Sequence, residues 1–278
     1  MKNILVPTET HDVMQSVLEA AALLQRRFDS YVEGFALRPA VPDYVPIDMV
    51  SGLAWHVDEK ADEEIRRSAF TLFESFMKGR GLPEAPAGSS EPGFGWHAKA
   101  PAGDMFLASH ARIFDLVLLG RPVSGKAQPS MASLEAVLFE SGRPLLIVPP
   151  EPPRSVGETV VIAWNNSTET ARTVAFAAPF LREAKRIVVL MVEGWSVPGP
   201  SGEQLAASLR RRGLQVETIM SPRDRRNDGE TILARSQALG ADLLVKGAYT
   251  QSRLRQMIFG GATAHILAHA AIPVLMAN

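Results

Sequence analysis

Cysteine is absent from the 278 residues, which excludes disulfides, thiolate metal sites and a cysteine nucleophile. Six histidines and the carboxylates are what remain for metal chemistry. No apolar run approaches the roughly 20 residues that cross a bilayer. Met1-Lys2 leads directly into Ile4-Leu5-Val6-Pro7 without a signal-peptide core. The expectation is a soluble, unexported, cytoplasmic protein with no membrane partner. An excess of one charge is missing too: 29 Lys and Arg face 30 Asp and Glu, a net charge of -1. Nothing global therefore favours nucleic acid. The basic runs Arg210-Arg211-Arg212 and Arg223-Asp224-Arg225-Arg226 lack interleaved aromatics and read as solvated charge.

What is present suffices to fold. Hydrophobic residues at 46% and charged residues at 21% are ordinary globular usage, and the length fits two domains. The charge is unevenly shared. Residues 1–150 carry 14 basic and 19 acidic side chains, and residues 151–278 carry 15 and 11. An anionic ligand is better placed in the second half.

An internal repeat organises the chain. Asn3–Pro7 reads as a strand, followed by Val13, Val17, Leu18, Ala21 and Leu24 on one helix face. Val160–Ala163 repeats that strand 156 residues later, with Ala171, Val174, Ala175, Ala178 and Leu181 expected on the matching helix face. Second strands follow at 31–37 and 187–192. Phe114–Gly120 matches Ala241–Gly247 at an offset of 127, and the final strands, 145–148 and 274–276, match at 129. The shrinking offset places the first half's extra residues chiefly in 38–57, which reads as a long loop able to carry a partner. Pro149-Pro150-Glu151-Pro152-Pro153 cannot continue a helix or a sheet and sets the boundary, giving domains 1–150 and 151–278. Apolar strands alternating with amphipathic helices imply parallel sheets covered on both faces. Ligands in such sheets sit beyond the carboxyl ends of the strands.

The loop after the second half's fourth strand carries the strongest motif. Gly247-Ala248-Tyr249-Thr250 is followed, after Gln251 to Phe259, by Gly260-Gly261-Ala262-Thr263. Together with Gly-Ala-Asp-Leu-Leu-Val at 240–245 and His269–Val274, this resembles the universal stress protein family. Nucleotide-binding members of that family carry Gly, two residues, Gly, nine residues, Gly, then Ser or Thr. Gly247 and Gly260 fit, Thr250 stands at the second glycine, and Gly261 replaces the hydroxyl residue, with Thr263 nearby.

The resemblance implies two tandem five-stranded α/β sandwiches of the adenine nucleotide alpha hydrolase-like type. It also implies that their last strands pair edge to edge as an intramolecular pseudo-dimer. It further implies ATP or a related nucleotide in the second half, with Mg or Mn and at most slow hydrolysis. The contact set it implies is Asn165, Val192, Gly247, Thr250, Arg253, Gly260, Gly261, Ala262 and Thr263, where Asn165 replaces a family Asp. Physically, Gly260 and Gly261 allow backbone N–H groups close to an anion at a helix N-terminus, and Arg253 and Arg255 would add charge-assisted contacts. Asn165-Asn166 equally suits a turn capping the next helix.

The first half offers Gly120–Ala127, which has the glycine and lysine spacing of a P-loop. Ala127 lacks the hydroxyl, Pro122 and Pro129 remove donors, and Glu135 would repel phosphate, so no nucleotide is expected there. His265 and His269 stand four apart but make only half a metal site, and they read as helix-end residues, as His97 and His110 read as surface. Asp104 and Asp228 read as caps or first-turn acids. Two functions remain open: a nucleotide-binding stress or regulatory protein, and a nucleotide-free interaction module with a protein partner or a second copy of itself.

Overall fold

The computed structural model describes residues 1–40, 59–86, 90–126, 128–222, 227–248 and 261–278. The first half runs β1 (Asn3–Thr8), α1 (Met14–Phe28), β2 (Tyr31–Ala36), α2 (Glu59–Gly79), β3 (Gly93–Trp96), α3 (Asp104–Ala111), β4 (Leu116–Gly120), α4 (Met131–Ala136), a π-helical turn (Val137–Ser141) and β5 (Leu145–Val148). The second runs β6 (Thr159–Ala163), α5 (Thr168–Phe176), α6 (Ala178–Glu183), β7 (Arg186–Val192), α7 (Gly202–Arg210), β8 (Val216–Ser221), α8 (Asp228–Ala238), β9 (Leu243–Gly247), α9 (Gly261–His269) and β10 (Val274–Ala277).

Alternation within the apolar strands builds two cores at once. Ile4 and Val6, Leu116 and Leu118, and Val160 and Ile162 point to one side of the sheet. Leu5, Val117 and Val161 point to the other. Both faces are buried, so the strands carry unbroken apolar runs as a covered parallel sheet requires.

The strands among the described residues join into one ten-stranded sheet of order β3-β2-β1-β4-β5-β10-β9-β6-β7-β8. Each half has the order 3-2-1-4-5, with every pairing inside a half parallel. The halves meet at β5 and β10, which pair antiparallel with Val274 opposite Ile147 and Leu275 opposite Leu146. This is the edge-to-edge pseudo-dimer that the resemblance implies, and it removes two exposed apolar edges. Arg27, at the end of α1, also crosses between the halves, donating to Val156 O at 2.7 Å and Glu183 Oε2 at 3.1 Å. The strand orders reverse between β1 and β4 and between β6 and β9, so candidate ligand sites lie beyond those strand ends.

Two sequence expectations need correction. The helix after β6 breaks into α5 and α6, because Pro179 in the first turn of α6 has no N–H to continue the ladder. Its buried face is also not the alanine stripe: Ala171 and Ala175 are exposed, whereas Thr170, Thr173, Val174 and Ala177 are buried. Threonine is tolerated inside because both hydroxyls find partners. Thr173 Oγ1 donates to Glu169 O at 2.8 Å and accepts from Ala277 N at 3.2 Å, and Thr170 Oγ1 donates to Asn165 Oδ1 at 2.7 Å. The expected loop 38–57 falls almost entirely on residues outside the described set.

Candidate functional site

The end of β9 carries the most unusual side chain in the described residues. Lys246 sits in an apolar strand, flanked by Val245 and Gly247, and is 4% exposed. Its Nζ donates to Gly247 O at 2.8 Å and to Thr263 Oγ1 at 2.8 Å, and stands 6.0 Å from the centroid of the Trp195 ring. An ammonium has three donors, and the third has no partner among the described residues. No described carboxylate pairs with it, and Tyr249–Gly260, the segment that continues from the strand, contains no Asp or Glu. Burial pushes the Lys246 amine down to about 8, the direction expected for a cation withdrawn from water.

Thr263 belongs to the first turn of α9 and is itself buried. The helix opens at Gly261, which is exposed and has nothing among the described residues within 4 Å of where a Cβ would stand. Ala262 is half-buried, and its carbonyl lies 2.5 Å from the Cβ that Gly229 would carry, which shows how closely α8 and α9 approach. Lys246, Thr263 and the open start of α9 thus converge at one place beyond β9, where strand order reverses. The first turn of a helix, whose amides have no partner within the helix, and a buried cation with no described carboxylate beside it suit an anion.

The other predicted residues divide. Gly247 is where expected, but its lack of a side chain serves packing: a Cβ would stand 2.4 Å from Thr170 N and 2.7 Å from Thr170 Oγ1. The strand end therefore meets the first turn of α5 directly. Asn165 is buried, and its Oδ1 accepts from Thr170 Oγ1 and from Ser167 N at 3.4 Å. It supports the turn into α5, where Ser167 supplies the cap by accepting from Thr170 N at 3.2 Å. Its Nδ2 finds no partner among the described residues. The Val192 carbonyl accepts from Trp195 N at 3.1 Å, and the Asn165 carbonyl accepts from Val197 N at 3.1 Å. With Asn166 Nδ2 on Val197 O at 3.0 Å and Trp164 Nε1 on Pro200 O at 2.9 Å, these bonds fold the segment 193–200 over the end of β6. Thr250, Arg253, Arg255 and Gly260 lie outside the described residues.

The first half has a different chemistry in the matching place. The repeat offset of 127 sets Leu119 where the second half has Lys246. Ser133 Oγ donates to Asp104 Oδ1 at 2.7 Å, so a carboxylate faces the start of α4. Lys126, the lysine of the P-loop-like spacing, is an exposed residue paired with the Asp12 carboxylate.

The histidines act as neighbours of one another. His265 and His269 stack at 4.2 Å, and His269 Nδ1 lies 2.9 Å from His265 O. Burial, followed by the His269 charge, lowers the pKa of His265. In the first half, His97 stacks on Phe106 and His110, and His110 Nε2 is 2.7 Å from Glu33 Oε1. No group of three metal-capable side chains occurs among the described residues. Asp104 and Asp228 are first-turn acids, with Gly103 and Asn227 at the cap positions.

Lys246 is the residue that sequence reading missed. It passed as one letter of a buried strand, and the available signal was a charge inside a run that must be covered on both faces.

Residues 158–278 match the model of the universal stress protein family. Among solved structures, the chain is similar to a universal stress protein from Archaeoglobus fulgidus, at 15% identity and a TM-score of 0.72, covering 99% of this chain and 98% of that one. It is also similar to a protein of unknown function from Pseudomonas aeruginosa, at 13% identity and a TM-score of 0.50, over 100% and 92% of the two chains. A third is the cytoplasmic domain of a prokaryotic cation chloride cotransporter, at 11% identity and a TM-score of 0.50, over 99% and 94%. At these identities the likeness is one of fold. No curated protein matches the chain. No helix among the described residues is long and apolar enough to cross a membrane.

Proposed function

With residues 158–278 matching the model of the universal stress protein family, and the first half built on the same strand order, we propose that this chain is a nucleotide-binding stress or regulatory protein. Its second half holds ATP or a related nucleotide, and the first half holds none. The observation that carries this reading is Lys246. A buried ammonium without a counter-charge is costly, and a phosphate group beside the first turn of α9 would supply that charge. The open side of Gly261 leaves room for it. In the first half, Leu119 and the Asp104 carboxylate replace these features.

The residues present fit phosphate better than they fit a metal ion. Among the described residues no carboxylate stands beside Lys246, so Mg²⁺ or Mn²⁺ would enter on the nucleotide. When bound, the ion would supply charge neutralisation of the phosphates. The described residues also place no carboxylate or imidazole beside Lys246 to orient a water, and phosphoryl transfer depends on such positioning. On this reading turnover is at most slow.

One observation favours the alternative of a nucleotide-free interaction module. Asn165 Oδ1 and the carbonyls of Asn165 and Val192 already bond within the chain. The two readings separate in a thermal-shift experiment. A ligand at 100 times its Kd stabilises the native state by about 2.7 kcal/mol. The nucleotide reading expects Mg-ATP to raise the melting temperature of the wild type and not that of Lys246→Met. A melting temperature insensitive to millimolar ATP in the wild type contradicts it.

A further inference from the structure

Arg121 follows directly on Gly120 at the end of β4, the position that opens the ligand loop in the second half. Its backbone N–H donates to Val148 O at 2.7 Å. Its side chain leaves its own half. Because β5 and β10 run antiparallel, the carboxyl end of β4 lies alongside the end of the sheet at which α9 finishes before β10. There Nη1 donates to Ala268 O, to Leu267 O at 3.4 Å, and within its own half to Pro122 O at 3.4 Å. No described carboxylate pairs with this guanidinium, and Nε is buried without a partner among the described residues. Burial lowers the basicity of Arg121. What balances the charge is the carboxyl end of α9, where unpaired carbonyls and the helix dipole favour a cation.

The same helix carries the candidate site at its other end. α9 has nine residues, a rigid span of about 14 Å at 1.5 Å per residue. Its first turn bears Gly261 and Thr263, and Thr263 is bonded to Lys246. α9 is thus held at one end by an arginine of the first half and at the other by the buried lysine of the second.

We infer that Arg121 is a positioning residue through which the first half sets the second half's anion site, by clamping the carboxyl end of α9. This gives the first half a task that needs no ligand of its own. Only the affinity part of its test rests on the nucleotide reading.

The experiment compares Arg121→Met, Arg121→Lys and Arg27→Met with the wild type. Arg27 also joins the halves, but does so without touching α9, and it controls for general loosening of the interface. The first readout needs no ligand: the titration of Lys246, followed by NMR of its side chain. Released from the clamp, α9 should loosen over Lys246 and admit water. The midpoint, about 8 in the wild type, should then rise by at least about half a pH unit in Arg121→Met, since relief of desolvation raises a lysine pKa. It should rise less in Arg121→Lys and stay in place in Arg27→Met. The second readout is ATP affinity, expected to fall by about five-fold or more in Arg121→Met, the lower range of a coupling between sites, and to recover in Arg121→Lys.

A Lys246 titration unchanged in Arg121→Met, or changed equally in Arg27→Met, overturns the inference. If Arg121→Met does not fold, Arg121→Gln, which keeps donors without the charge, decides by the same criterion. A wild type that does not bind ATP, with the Lys246 titration still moved by Arg121→Met, removes the nucleotide reading and leaves the clamp standing.

Discussion

At the scale of single residues, the second half is distinguished by a buried lysine with no described carboxylate beside it. The amine of Lys246 is brought down to about 8 by desolvation, from an ordinary value near 10.4 in the unfolded chain. Between those values the unfolded chain keeps a proton that the native state has released, so unfolding takes up a proton and stability rises with pH across this window. The rise is on the order of 1–3 kcal/mol, because a tenfold difference in proton affinity between the two states is worth about 1.4 kcal/mol. Lys246→Met should abolish that component and, by removing a buried charge, match or exceed the stability of the wild type at pH 7. Urea denaturation at pH 7, 8.5 and 10 checks both statements as a difference between the two proteins. A wild type and variant with parallel pH profiles would show that the amine is not desolvated.

At the scale of elements, the glycine that ends β9 ties strand to helix. The family resemblance counts Gly247 among the nucleotide contacts, but a Cβ added there would meet Thr170 N and Glu169 C in the first turn of α5. Gly247→Ala would force the helix off the strand and cost about 1–3 kcal/mol as overpacking does, visible as a lower urea midpoint with or without nucleotide. The same contact explains which parts of the second half were legible in sequence. Strands were, because unbroken apolar runs such as Val160–Ala163 have few other homes. The buried face of α5 was not, because Thr170 and Thr173 are held inside by hydrogen bonds to Asn165, in the turn before the helix, and to Ala277, on the last strand, neither of which helical periodicity reports. Asn165 was readable both as a ligand contact and as a turn former. Its Oδ1 serves the turn.

At the scale of the whole molecule, the internal repeat carried the architecture. Matching strands at offsets of 156, 127 and 129 implied two copies of one sheet, and the copies join through β5 and β10 into one continuous sheet, ten-stranded among the described residues. What the repeat concealed is the asymmetry, since Leu119 and Lys246 occupy equivalent places and Arg121 reaches out of its own half. The proposed function therefore places one anion site per chain in a molecule built from two like halves. Isothermal titration of Mg-ATP into the wild type and into Gly261→Glu tests this most directly. Gly261 is exposed and no described residue crowds a Cβ there, and a carboxylate is welcome in the first turn of a helix. The substitution should spare the fold while placing negative charge where phosphate is expected. The account predicts binding near one nucleotide per chain, lost in Gly261→Glu. Two sites per chain, no binding to the folded wild type, or binding untouched by the substitution would contradict it.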